Sequence, residues 1–102
     1  MNRVAMLSEI LEQDPSDAFA RYGLAMEYSN QGDSERALAE FHKLLETNPD
    51  YTAGYFMAAQ TLARAGRNDE AKNMLSDGID CARRTGNAHA LSEMQAMLDE
   101  MN

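Results

Sequence analysis

The sequence predicts an all-α chain built as a stack of paired helices, and three observations carry that reading. Pro15 and Pro49 stand 34 residues apart, each after an almost interchangeable phrase, Ile10-Leu11-Glu12-Gln13-Asp14 and Leu44-Leu45-Glu46-Thr47-Asn48. A fixed period of this size marks a stacked helical repeat. The apolar residues are mostly Leu, Met and Ala, with few Val or Ile, a composition that favours helix over sheet. Nothing reads as a strand, and the connections are so short that consecutive helices must lie antiparallel.

The elements follow in order from the punctuation. A first helix spans about 2–13, with Val4, Leu7, Ile10 and Leu11 on one stripe, and Pro15 closes it. Ser16 or Asp17 can cap a second helix running to about Gln31 and carrying Phe19, Tyr22, Leu24, Met26 and Tyr28. Gly32 supplies the left-handed backbone that ends it. Asp33 or Ser34 caps a third helix over 34–47, with Ala37, Leu38, Phe41, Leu44 and Leu45 on one face. Asn48-Pro49-Asp50 breaks the chain again. A fourth helix covers about 51–65, with Tyr55, Phe56, Ala59 and Leu62, and Gly66 ends it. A fifth begins near Asn68 and carries Ala71, Met74, Leu75, Ile79 and Ala82. No proline stops it, so it runs to Arg84, with the break at Gly86. A sixth helix over 88–100 carries Leu91, Met94, Met97 and Leu98.

At 102 residues the chain is expected to form a single domain, 1–102. Its 17 acidic and 9 basic side chains leave a net charge of −8. That balance repels a phosphate backbone and an anionic bilayer, which argues against nucleic acid and membrane as partners. No stretch approaches the roughly 20 apolar residues a membrane span requires, and residues 1–13, interrupted by Glu9 and Glu12, do not read as a signal peptide. Cys81 is the sole cysteine, so no internal disulfide forms. A reducing, cytoplasmic setting fits, with Cys81 acting as a small hydrophobe.

Setting 18–51 above 52–85 leaves three identities: Ala25/Ala59, Gly32/Gly66 and Ala37/Ala71. These are the positions physics constrains most. Helices packed face to face need small residues where their backbones come closest, and a tight turn needs positive φ. The bulky slots agree in kind, pairing Tyr22 with Phe56, Tyr28 with Leu62, Phe41 with Leu75 and Leu45 with Ile79. The arrangement resembles the tetratricopeptide repeat (TPR) family. Its pattern falls on Leu24, Ala25, Tyr28, Gly32, Ala37, Phe41 and Pro49, then on Tyr55, Ala59, Leu62, Gly66, Ala71 and Leu75. The resemblance implies a right-handed α-α superhelix. Residues 1–15 would be the second helix of a preceding unit, 18–51 and 52–85 two repeats, and 86–102 a capping helix. Three positions depart from the pattern: Arg21 stands where the family prefers Trp, Ala58 where it prefers Leu, and Arg83 where a second closing Pro is expected. The Arg21 stem is expected to lie over the first helix, and the missing Pro implies a longer fifth helix.

The resemblance also implies a concave ligand face built from the first helix of each pair. It would carry Phe19, Tyr22, Met26, Ser29 and Asn30 from the first unit, and Ala53, Phe56, Met57, Gln60, Ala63 and Arg64 from the second. An exposed aromatic-and-Met patch suits an apolar or amphipathic peptide. The alternatives are that Phe19 and Met26 pack within the chain, or that they pack across a homo-oligomer. Some TPR domains grip a chaperone's C-terminal carboxylate. Here Tyr22 and Met26 replace the Lys and Asn of that clamp, and Met57 replaces another Asn, which argues against such a clamp. Arg64 could still pair with a ligand carboxylate.

Nothing points to catalysis or to a cofactor. His42 and His89 lack another His, Cys or Asp at metal spacing, no Gly-rich phosphate loop or nucleophile elbow appears, and Asp69-Glu70 and Asp99-Glu100 are adjacent, so their carboxylates diverge. Glu35 favours the dipole of the third helix. The expected activity is therefore non-catalytic binding of a protein or peptide segment. The alternative is a self-associating scaffold subunit, its seam formed by Met94, Met97 and Met101 of the sixth helix.

Overall fold

A computed structural model of the protein describes residues 2–102. Six helices follow one another: α1 (Arg3–Gln13), α2 (Ala18–Asn30), α3 (Ser34–Thr47), α4 (Thr52–Arg64), α5 (Asn68–Thr85) and α6 (Ala88–Met101). Among the described residues there is no strand. The helix boundaries lie within a residue or two of those read from the sequence, and α5 is the longest at 18 residues, as the absence of a closing proline implied.

Most starts and stops have a local cause, though α4 and α5 begin without a side-chain cap. Asn2, Asp17, Asp33 and Asn87 cap α1, α2, α3 and α6, their side-chain oxygens accepting from Ala5, Ala20, Arg36 and Ala90 N–H groups. Such caps satisfy donors that the helix itself leaves orphaned. The exits of α2, α4 and α5 share one closure. The amides of Asp33, Arg67 and Asn87 reach back five residues to the carbonyls of Tyr28, Leu62 and Ala82, and the residue between them and the helix, Gly32, Gly66 or Gly86, has φ between 70° and 80°. This is the glycine-closed Schellman turn, which an L-residue with a Cβ enters only at a cost.

The helices form two layers. Each packs against its chain neighbours, and α2 also approaches α4, and α4 approaches α6, to within 8 Å between Cα atoms. The backbones of α1, α3 and α5 do not approach one another that closely. The row α2–α4–α6 is therefore drawn together while the other row splays, which curves the stack toward the first row. An opening of about 400 Å³ between α3 and α5, lined by His42, Leu45, Glu46, Tyr55, Met74 and Asp77, shows the splay on the outer side.

The core is a chain of small clusters, as expected where each pair touches only its neighbours. Leu7, Leu11, Ala20 and Leu24 join α1 to α2. Ala25, Ala37, Phe41, Leu44 and Ala58 join α2 and α3 to α4. Leu38, Leu62 and Ala71 link α3, α4 and α5. Ala59, Leu75, Ile79, Ala82 and Met94 hold α4, α5 and α6 together. The four repeated alanines, Ala25, Ala37, Ala59 and Ala71, are fully buried, at the close approaches the repeat demanded. Cys81 is buried as well.

Two sequence expectations are corrected here. Arg21 does not lie over α1. Its guanidinium reaches α3, donating to Glu40 at 2.6 Å and to the Pro15 carbonyl at 3.1 Å, and only 16% of its side chain is exposed. A long-range carboxylate and a prolyl carbonyl hold the charge better than an apolar helix face could. The Met-rich stripe of α6 is also narrower than expected, because Met94 is fully buried against α4 and α5, while Met97 and Met101 pack half-buried beside it. That packing is what docks α6.

Candidate functional site

The inner row places the residues expected at the ligand face in three groups. In the first, α2 and α4 carry Tyr22, Met26 and Met57, all half-buried against the Phe41 cluster. Tyr22 meets Phe41 edge-on at 6.4 Å between centroids and lies 5.3 Å from the Tyr51 ring. Burial, and then the neighbouring Tyr51 hydroxyl, push the Tyr22 phenol above its ordinary pKa. Tyr22 is thus both wall and core.

The second group is the seam between α2 and α4. Arg64 Nη2 donates to Ser29 Oγ at 2.6 Å, and Ser29 Oγ lies 2.9 Å from Thr61 Oγ1. Thr61 spends its single proton on the Met57 carbonyl at 2.8 Å, so the Ser29 hydroxyl donates to Thr61. The result is one directed chain, Arg64 to Ser29 to Thr61 to Met57. Ser29 is buried and is not presented to a ligand, contrary to expectation. Arg64 is exposed but tethered across the seam by one nitrogen, and Asn30, which follows Ser29 in α2, is exposed. Phe19, at the start of α2, is 78% exposed.

The third group lies between α4 and α6. Thr52, Ala53, Phe56, Asn87, Ala90 and Glu93 line a pocket of about 150 Å³. A broader shelf of about 440 Å³ continues from it, lined by Phe56, Gln60, Glu93, Ala96, Met97 and Glu100. Phe56 and Glu93 are common to both. Ala53, Phe56 and Gln60 had been read from the sequence, whereas the contribution of α6 had not. The missed signal was the step Ala90, Glu93, Met97, Glu100, which keeps one face of a helix. It was legible, but only the structure places α6 in the same row as α2 and α4.

Among the described residues, no group of three or more His, Cys, Asp or Glu side chains is placed to hold a metal ion, and no helix is long and apolar enough to cross a membrane.

Known proteins share this architecture. Two models of the family described as Tetratricopeptide repeat match, one over residues 30–96 and one over residues 2–56. A TPR repeat-containing protein of Pseudomonas aeruginosa is 28% identical over 94% of this chain and 91% of its own length. The solution structure of a tetratricopeptide repeat domain protein from Salinibacter ruber superposes with a TM-score of 0.81 at 38% identity, covering 87% of this chain and 90% of that one. PcrH, solved in complex with the chaperone-binding region of PopD, superposes with a TM-score of 0.89 at 19% identity, over 96% of this chain and 74% of its own. With its paired helices, its glycine closures and family-model matches that each span more than half the sequence, this chain belongs to the tetratricopeptide repeat family.

Proposed function

We propose that this protein is a non-catalytic interaction module whose α2–α4–α6 face receives a polypeptide segment of a partner protein. The carrying observation is the curvature. The inner row closes up while the outer row splays, and the closed side holds an apolar pocket continuous with an open shelf. Peptide grooves are typically apolar-walled with a few polar groups at the rim, and Phe56, Met97 and Ala53 beside Gln60, Asn87 and Glu93 match that description. The fold shared with PcrH, a protein that holds a segment of PopD, supports the same reading. Position-specific cross-linking tests it. A photoreactive phenylalanine analogue placed at Gln60, Met26 or Ala96 should give partner adducts in native lysate, and the same analogue at Glu46 on the outer side should not. Adducts confined to Glu46 would place the docking surface elsewhere.

A second reading has its own observation. Met6 and Ile10 on α1 are 43% and 41% exposed and border a depression shared with Glu9 and Gln13. One period later, Glu40 occupies the place of Met6 and is covered by Arg21 of α2. The same side of α1 has no helix over it in the described chain. Self-association through this end is the scaffold alternative. Light scattering across a concentration series checks it: mass that rises with concentration and reverts in Ile10→Glu supports the seam, and a constant monomer removes it.

A further inference from the structure

The docking reading leaves the chemistry of the segment open. We propose that the α4–α6 half of the face takes a cationic segment. One Leu-, Met- or Phe-sized side chain would seat in the pocket beside Phe56, with a Lys or Arg some four to five residues away along the chain. This inference rests on the docking reading just given.

Size argues for the anchor. The pocket of about 150 Å³ is comparable to cavities that accept a benzene-sized group, so it suits one large apolar side chain. Charge argues for the cation. Of the residues lining pocket and shelf, the charged ones are Glu93 and Glu100, and no Lys or Arg is among them. On the neighbouring elements the arginines are engaged elsewhere, and Lys72 of α5, in no ion pair among the described residues, lines neither pocket nor shelf. On α4, Arg64 is turned to Ser29 on the α2 side. On α6, His89 touches Glu93 at 2.6 Å but is 88% exposed and carries charge only when protonated. Glu100 has no ion pair among the described residues. The arginines of α5 that form ion pairs, Arg83 and Arg84, are engaged with Asp80 and Asp50.

Glu93 and Glu100 lie two helical turns apart on one face, about 10 Å. From the pocket at the level of Ala90, Glu100 is about 15 Å along α6, a span an extended chain covers in four to five residues. A carboxylate at each end of that path steers and selects a basic segment and penalises an acidic one.

The test pans random short peptides, displayed on phage, against the intact chain, and then measures the enriched sequences as synthetic peptides. The expected result is an apolar anchor with Lys or Arg at the stated spacing. Affinity should fall about tenfold in the Glu93→Gln/Glu100→Gln double variant, with most of the salt dependence lost. Both carboxylates are solvent-exposed, so the variant keeps its fold, and Glu46→Gln should bind as the parent does. Enriched peptides without a cation, or indifferent to Glu93→Gln/Glu100→Gln, overturn the charge proposal. If those peptides still lose binding on Phe56→Ser, with helicity intact by circular dichroism, the docking face stands and only its proposed chemistry falls. Peptides indifferent to Phe56→Ser as well, or no enrichment at all, overturn both.

Discussion

A methyl group placed on Gly78 would come 2.7 Å from Tyr55 Cβ and 2.5 Å from Met94 Sδ, whereas one placed on Gly23 meets only Leu7 methyls at 3.5 Å. Both glycines sit inside helices, where alanine relieves a backbone-entropy cost of roughly 0.5–1 kcal/mol. At Gly23 that gain is unopposed, and Gly23→Ala should stabilise the chain by about that amount. At Gly78 the sulfur can swing away but Tyr55 Cβ is fixed by α4, and overpacking of this kind costs about 1–3 kcal/mol. Gly78→Ala should therefore destabilise by about 1–2 kcal/mol net. Urea unfolding of the two variants reads opposite signs from one chemical change.

Tyr22 adds a pH dependence. Its folded pKa is raised, by burial first and then by Tyr51, and Tyr51 and Tyr55 are raised in the same direction, by burial first. A raised folded pKa means that folding favours the neutral phenol. Its contribution is complete below about pH 10 and is lost as pH rises through the folded-state value. The urea midpoint should fall on the alkaline side, and Tyr22→Phe, which keeps the ring against Phe41, should make the fall shallower. An unaltered alkaline slope would contradict the assignment.

At the scale of helices, α6 is docked by Met94 with Leu91, Met97, Leu98 and Met101 packed around it. It touches only α5 and α4, and Met94 is its single fully buried side chain. Met94→Ala should cost about 2–5 kcal/mol. In a stack coupled only through neighbours the loss should be spent locally, so amide exchange over 88–101 should quicken well before exchange in α2. Equal acceleration in both would mean that the stack unfolds as one unit.

The helices themselves were legible in the sequence because their signals are local. Gly32, Gly66 and Gly86 and the two prolines each act within a few residues of where they stand, and the paired alanines are marked by the period. What escaped was long-range. Glu40 captures Arg21 from 19 residues away, and Ser29 is buried by a hydrogen bond to Thr61 from 32 residues away. No period in the sequence announces either. One likeness becomes visible only in three dimensions: Arg21 donates to the Pro15 carbonyl and Tyr55 to the Pro49 carbonyl. The two donors and the two prolines are each one period apart, so the repeat preserves a hydrogen bond where it does not preserve the residue.

For the whole molecule, curvature links the fold to the proposed function. A row of touching helices faces a row of separated ones, and the touching row carries the pocket, the shelf and the Arg64–Ser29–Thr61 seam. The molecule measures 40 × 29 × 19 Å, so a segment lying across the inner row would contact α2, α4 and α6 together. The candidate face was half legible. Ala53, Phe56 and Gln60 fall on it by period, while Glu93, Ala96, Met97 and Glu100 join it only because α6 takes the place of the next first helix.

The chain's own methionines offer the most direct test. Met26, Met57 and Met97 lie along the inner row, whereas Met6 is on α1 and Met74 borders the outer opening. With methyl-labelled methionine, titration of a peptide selected on the intact chain should shift or broaden the resonances of Met97 and Met57 most, then Met26, and leave Met6 and Met74 in place. Shifts confined to Met6 and Met74 would contradict the account, because the visiting segment would then lie on the splayed side or the open end and the curvature would have no part in holding it.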